Sequence, residues 1–216
     1  MILTMKKHDP VVLDFHDILV HQSDVELLEG PHWLNDTLIS FYFAYLENTV
    51  YGTDQRFLFV CPDVTQCLKV SAARDMGVFL EPLKATEKSF IFFAVNDCSN
   101  VESPGGSHWS LLVFSKSENM FFHLDSMKWA NEKEAKGLAR NLATYLCKNT
   151  PGSYQEVVTL QQENGYDCGI HLVCNAEHLA RFCAVDGKIK DCGKVLQSAI
   201  GEMRNSLLNL IRNGFT

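Results

Sequence analysis

The stretch "HWSLLVFSKSENMFFHLDS", residues 108–126, decides the architecture. Two β-rich runs, "HWSLLVFS" and "NMFFHLDS", flank a short polar turn and read as an antiparallel hairpin. With the turn centred between Lys116 and Ser117, paired residues sum to 233, and His108 falls directly opposite Asp125. Opposite residues share a sheet face with Cβ atoms about 4.5–5.5 Å apart, close enough for imidazole and carboxylate to hydrogen-bond. The carboxylate would fix the ring tautomer and stabilise the imidazolium. The bland alternative is a structural cross-strand pair near the end of the sheet.

Working outward, "VVLDF" reads as a short strand or extended arm, and "WLNDTLISFYFAYLENTVY" as a helix with Leu34, Leu38, Phe41, Tyr42 and Tyr45 at helical spacing. "RFLFVC" is a strand, and "PDVTQCLKV" a short helix opened by Pro62. The continuous apolar run "SFIFFAVN" predicts a strand buried on both faces. Residues 97–107 form a loop rich in Ser, Asn, Pro and Gly. Further on come a helix over 131–148, the strand "YQEVVTL", and two helices over 168–182 and 187–212. Helix first, then strands, then helices, without regular βαβ alternation, argues for an α+β fold with one domain over 9–216. Residues 1–8 read as a disordered extension.

The chain has 216 residues, 46% of them hydrophobic and 21% charged, enough to bury a sizeable core. A formal net charge of −7 without a basic run argues against nucleic acid or an anionic membrane as partner and fits a partner with a basic surface or tail. There is no apolar run long enough to span a bilayer and no secretory signal pattern. The eight cysteines, without a CxxC pair, therefore read as free thiols in a reducing, intracellular compartment.

One cysteine differs from the rest. In "QQENGYDCGIHLVCN", residues 161–175, Cys168 follows Asp167, a natural N-cap, and opens an apolar helix. A helix N-terminus and a nearby imidazolium both favour thiolate over thiol. Gly169 leaves room for a substrate backbone. A glutamine upstream, Gln161 or Gln162, could donate to a developing oxyanion beside the Cys168 N–H. The rival reading is a zinc site from Cys168, His171, Cys174 and His178. Cys168 is turned away from the face the other three share, however, and one helix cannot wrap a tetrahedral ion.

"GGSHWSLLVF", "FFHLDS" and "QQENGYDCGIHLVCN" resemble the His, Asp and Gln…Cys blocks of the Ulp/sentrin cysteine proteases, which cleave ubiquitin-like proteins. "DPVVLDF", "SDVELLEGPHWLND" and "FLEPL" are similar to the deneddylase branch. The resemblance implies the Ulp/adenain-like fold, a central mixed sheet flanked by helices, with His108 as general base, Asp125 as orienting acid, Cys168 as nucleophile and Gln162, not Gln161, in the oxyanion hole. It also implies that Trp33 and Trp109 flatten a Gly-Gly tail in a tunnel. Strand alternation by itself places Trp109 and His108 on opposite faces. Asp36 is a candidate partner for an arginine just before the glycines, and the loop 97–107 for a lid over the tail. No cofactor or metal is needed, and the implied partners of a monomeric enzyme are the neddylation modifier and its conjugates such as cullins. Trp129 receives no role. SUMO or ubiquitin proteases, an acyltransferase on the same scaffold, and a non-catalytic binder of ubiquitin-like proteins are the competing functions.

Overall fold

The computed structural model describes residues 9–98, 105–147 and 151–214. The expected extension at 1–8 lies outside them. In chain order the elements are β1 (Val11–Phe15), β2 (Ile18–His21), α1 (Gln22–Leu28), α2 (Asp36–Tyr45), β3 (Phe57–Val60), α3 (Pro62–Val70), α4 (Met76–Leu80), β4 (Phe90–Asn96), β5 (Trp109–Ser115), β6 (Met120–Leu124), α5 (Glu132–Leu146), β7 (Ser153–Val157), α6 (Cys168–Asp186) and α7 (Gln197–Asn213). Five strands make one sheet in the order β3-β4-β5-β6-β7. The inner pairs β4/β5 and β5/β6 are antiparallel and the outer pairs β3/β4 and β6/β7 parallel.

Alternation along the strands divides the core in two. Phe57, Phe59, Phe90, Phe92, Ala94, Leu111, Val113 and Phe122 point to one side and pack against α2, α6 and α7. Leu58, Ile91, Phe93, Val95, Leu112, Phe114 and Phe121 point to the other, against α3, α4 and α5. Every residue of β4 from Phe90 to Val95 is buried, which is why that run carries no polar alternation. Rings align across the parallel β3/β4 pair, with Phe59 stacked on Phe92 at a 4.6 Å centroid distance.

The hairpin register differs from the expected one. Leu111 pairs with Leu124 and Ser115 with Met120, so paired positions sum to 235 and the turn centres between Ser117 and Glu118. Asp125 is therefore in line with Ser110, and His108 meets it diagonally. A slip of two residues preserves side-chain parity, so the two groups still share a face. The turn residue Asn119 takes a positive φ of 49°, the left-handed conformation that asparagine tolerates, and this fits a four-residue loop.

Other elements depart from pattern for local reasons. The arm 11–15 is half of a second hairpin with β2, turned by His16 and Asp17, both at positive φ (48° and 65°). That geometry suits a two-residue loop, but "HD" is not among its usual sequences. The helix α1 also escapes the periodicity, being only seven residues long; Asp24 accepts from the His21 N–H at 2.8 Å to close its first turn. The long helix expected from Trp33 begins at Asp36 because Asn35 caps it, accepting from the Leu38 N–H. At the C-terminal end, 187–196 is not helical: Gly187, at φ 68°, ends α6, and α7 starts at Gln197.

One α7 side chain ties distant segments together. The Arg204 guanidinium pairs with Asp167 at 2.6 Å and donates to the carbonyls of Leu27 (2.9 Å) and His32 (2.7 Å). It thereby holds the end of α1 and the approach to α2 against the start of α6. The pair is mostly covered, with side-chain exposures of 17% and 19%. Arg204→Ala is expected to lower the unfolding free energy by about 2–3 kcal/mol in urea titrations. Arg204→Lys should recover only part of this, since an ammonium cannot span the same planar set of acceptors.

Candidate active site

The hairpin delivers two groups to one end of the sheet. His108 immediately precedes β5 and Asp125 immediately follows β6. His108 Nε2 lies 2.6 Å from Asp125 Oδ1, with both residues about 5% exposed. The carboxylate is held from three sides, because it also accepts from the backbone N–H groups of Met127 and Asn131 at 2.9 Å each. Burial alone would raise its pKa; the His108 ring and the two amides outweigh burial and hold Asp125 below the usual carboxylate range. For His108, burial opposes the charged ring, but contacts with Asp125 and Cys168 overcome it and lift the pKa to about 9. With Nε2 engaged by Asp125, Nδ1 is the ring nitrogen available to the Cys168 sulfur.

Cys168 is the first residue of α6 and is buried. Asp167 stands at the N-cap position as expected, yet its side chain makes no capping hydrogen bond. It is spent on Arg204 and on the Asn164 amide at 2.7 Å. The first-turn N–H groups of α6 are thus left without a side-chain cap, and their partial positive charge surrounds the thiol. The space at Gly169 is not open to a substrate. A Cβ there would stand 2.8 Å from the Leu34 side chain, so the glycine serves the close packing of the Trp33–Asn35 segment onto α6. Cys174 and Cys183, inside α6, have no such setting. Burial pushes the Cys183 thiol up to about 12 and raises Cys174 further.

The two glutamines separate on hydrogen bonds. Gln161 donates through Nε2 to the carbonyls of Asp125 (2.9 Å) and Thr159 (3.3 Å), which uses both amide protons. Gln162 donates one, to the Asn164 carbonyl at 2.6 Å, while Ser126 Oγ donates to its Oε1 at 2.8 Å and orients the amide. Gln162 therefore keeps an amide proton to give.

The tryptophans differ in their footing. Trp109 is 7% exposed, packs in the α6-side core, and donates to the Leu34 carbonyl at 3.1 Å. Alternation thus holds, and it sends Trp109 to the face on which α6 carries Cys168. Trp33 is 49% exposed and donates to the Gly165 carbonyl at 2.6 Å. Asp36 is at the start of α2, where partial burial and the neighbouring Asp63 carboxylate raise its pKa. The lid expected over 97–107 falls largely on 99–104, outside the described residues. Its base is anchored by Asp97, which accepts from Ser107 N–H, Ser107 Oγ and His108 N–H. Gly106, at φ 105°, leaves the space that the Asn96 amide occupies. Trp129 is 61% exposed, with Lys128 over its ring.

The residues of the rival zinc set point to separate neighbours. His178 Nε2 bonds the Gly193 carbonyl at 2.8 Å, the Cys174 thiol faces the Ala199 carbonyl, and His171 is buried with Nδ1 unpaired. Asn131, Ser126 and Arg204, which position the site, carry no sequence signal: each acts through a backbone group or a partner far away in the chain.

Comparison with known proteins gives the chain's family and fold. The pattern described as "Ulp1 protease family, C-terminal catalytic domain" matches residues 32–195. "Sentrin-specific protease 8" of Mus musculus is 43% identical over 176 residues, covering 80% of this chain and 79% of that protein. "NEDD8-specific protease 1" of Arabidopsis thaliana is 34% identical over 210 residues, covering 94% and 90%. The fold is shared with the solved C-terminal Ulp1 protease domain in complex with Smt3, the yeast ortholog of SUMO (TM-score 0.71, 19% identity, 97% of this chain and 90% of that one). With its cysteine, histidine and aspartate all inside the matched region, this chain belongs to the Ulp1 protease family.

Proposed function

We propose that the protein is a thiol isopeptidase that cleaves after the C-terminal Gly-Gly of a ubiquitin-like modifier, with NEDD8 as that modifier. The observation that carries the chemistry is the His108–Asp125 contact at 2.6 Å with Cys168 against the same ring. The specificity rests on the relatives, which include a NEDD8-specific protease at 34% identity. Both precursor maturation and removal from conjugates such as cullins follow from one bond-cleaving step. A monomer in the cytoplasm or nucleus, where thiols stay reduced, suits it.

The Cys168 thiolate attacks the terminal glycine carbonyl, forming an S–C bond. The Cys168 N–H and the uncommitted Gln162 amide proton meet the oxyanion. His108 passes its proton to the departing amine as the C–N bond breaks. Water then adds to the thioester, its proton returning to His108, and the glycine carboxylate leaves as the thiolate re-forms. Trp33 and Trp109 wall the tail channel, which admits only residues without a Cβ. Asp36, raised in pKa beside Asp63, is relieved by a cation, and an arginine preceding the glycines supplies one.

C-terminal fluorogenic amides of NEDD8, SUMO and ubiquitin, run with wild type and Cys168→Ala, test this first. NEDD8 amide turnover that disappears in the variant is expected. Turnover of SUMO or ubiquitin amides alone would refute the specificity, and modifier binding without turnover would make the protein a binding module.

The pH profile follows from His108, whose folded pKa is raised from 6.5 to about 9. The ring stays protonated through neutral pH, so kcat/KM should fall as pH rises through about 9. The stability its charge contributes is full below about 6.5 and is lost over the same rise. In Asp125→Asn the alkaline limb should move to lower pH, and His108→Ala should cost about 10²–10⁴-fold in kcat.

For substrate binding, Asp36→Asn should raise KM about two- to fivefold at low salt with kcat unchanged, the scale of an exposed ion pair.

A further inference from the structure

Behind the His108–Asp125 pair is a second histidine–carboxylate pair that the chemistry above does not use. His123, on β6, has no solvent exposure, and its Nδ1 lies 2.9 Å from both carboxylate oxygens of Glu156, its partner across the β6/β7 ladder. Tyr154 also donates its hydroxyl proton to that carboxylate. Despite burial, these contacts keep Glu156 below the ordinary carboxylate range.

A carboxylate can only accept, so Nδ1 carries a proton, and in the neutral ring Nε2 accepts from the Ser110 hydroxyl at 2.9 Å. Ser110 has one proton, spent on His123, so the 3.1 Å contact with Asn131 must be donated by the asparagine Nδ2. That nitrogen also faces the carbonyls of Val95 (3.2 Å) and His108 (3.3 Å). Turning the amide over would set its oxygen against both. Asn131, so held, presents its backbone N–H to Asp125 Oδ2 at 2.9 Å. Donation thus runs from the Asn131 amide through Ser110 and His123 to Glu156, while the backbone N–H of the same Asn131 donates the other way, to Asp125.

Ser110, His123 and Glu156 also have the composition of a nucleophile, base and acid. With Ser110 at 1% exposure and His123 at 0%, no substrate reaches them. We propose that His123 and Glu156 are positioning residues, which act through Ser110 and Asn131 to fix Asp125 and His108 in the arrangement needed to serve Cys168. The inference rests on the Cys168–His108–Asp125 reading above.

The test compares His123→Phe, which keeps the bulk, with His123→Gln, whose amide can still donate to Glu156 and accept from Ser110. With the NEDD8 C-terminal amide, His123→Phe should lower kcat about 10- to 100-fold with KM little changed, and His123→Gln should recover most of the loss. A second readout needs no modifier: the pH profile of Cys168 alkylation by iodoacetamide. The charged groups facing His108 are Asp125, Cys168 and Asp97, none of them altered in these variants. The alkaline limb should shift in His123→Phe and not in His123→Gln. Wild-type kcat and alkylation in a cooperatively melting His123→Phe would overturn the proposal, as would equal losses in both variants with the profile unmoved. Should His123→Phe fail to fold, Ser110→Ala breaks the same chain, and wild-type kcat there is equally decisive. Wild-type protein that turns over no modifier amide would instead refute the reading under Proposed function, with the alkylation profile still reporting on the positioning chain.

Discussion

His108 and Asp125 meet across the open end of a hairpin, and the placement of almost everything else at the site can be traced to that contact. The antiparallel ladder ends at Leu111 and Leu124, so the residues just beyond it are free of strict pairing and can turn toward each other. A carboxylate buried there would be costly without donors. Two backbone amides from the 127–131 turn supply them, and the imidazole supplies the third. The ring in turn is held charged against its own desolvation by Asp125 on one nitrogen and Cys168 on the other side. By strand parity His108 and Asp125 belong to the sheet face that packs on α3, α4 and α5, whereas α6 packs on the opposite one. Only at the strand ends, where the faces converge, can a helix N-terminus reach a ring that starts from the far side.

The parts of this architecture that a sequence reader can recover are those in which local chemistry and tertiary demand coincide. The run Pro62–Val70 forms a helix over its full length because proline opens it and amphipathic spacing continues it. The run from Phe90 to Val95 reads as a central strand because all its residues are apolar, as burial on both faces demands. The hairpin register came out two residues away, since the turn 116–119 holds no glycine to mark its centre. Parity survived that slip, and with it the pairing of His108 with Asp125. The short elements β2, α1 and α4 were illegible for a different reason: four to seven residues give periodicity too little room. His108, Asp125 and Cys168, which the structure brings together, stood out because each sits at an element boundary with a distinctive neighbourhood. Asn131 and Arg204 could not, because an asparagine that works through its own N–H, or an arginine that works through carbonyls of Leu27 and His32, leaves no pattern in the residues around it.

The cysteines show how position, more than composition, makes a reactive thiol. Cys174 and Cys183 lie on the same helix as Cys168, nearly two and about four turns further along, and are just as buried. There the helix N–H groups are consumed by the helix itself, and burial simply raises the thiol pKa. At the first turn the N–H groups are uncommitted and an imidazolium stands opposite. The Asp167 side chain, which could have capped that turn, is drawn off by Arg204, so the same ion pair that braces α1 and α7 also leaves the helix end at Cys168 without a side-chain cap.

The two tryptophans extend that coupling. Trp109 is fixed in the core through Leu34, and Leu34 fills the space Gly169 leaves on α6, so this ring and the thiol belong to one rigid body. Trp33 rests instead on the Gly165 carbonyl, within the 161–167 segment that carries Gln162 and Asp167. On the proposed function, a tail between the rings would press on one wall fixed in the core and on one whose hydrogen bond leads to the segment that carries Gln162. A side chain in place of a glycine hydrogen would have to displace Trp33, and with it the hold on Gly165 in the segment whose Asn164 carbonyl orients the Gln162 amide. On that proposed function, exclusion of bulk and alignment for reaction would then both act through one hydrogen bond between an exposed indole and a loop carbonyl.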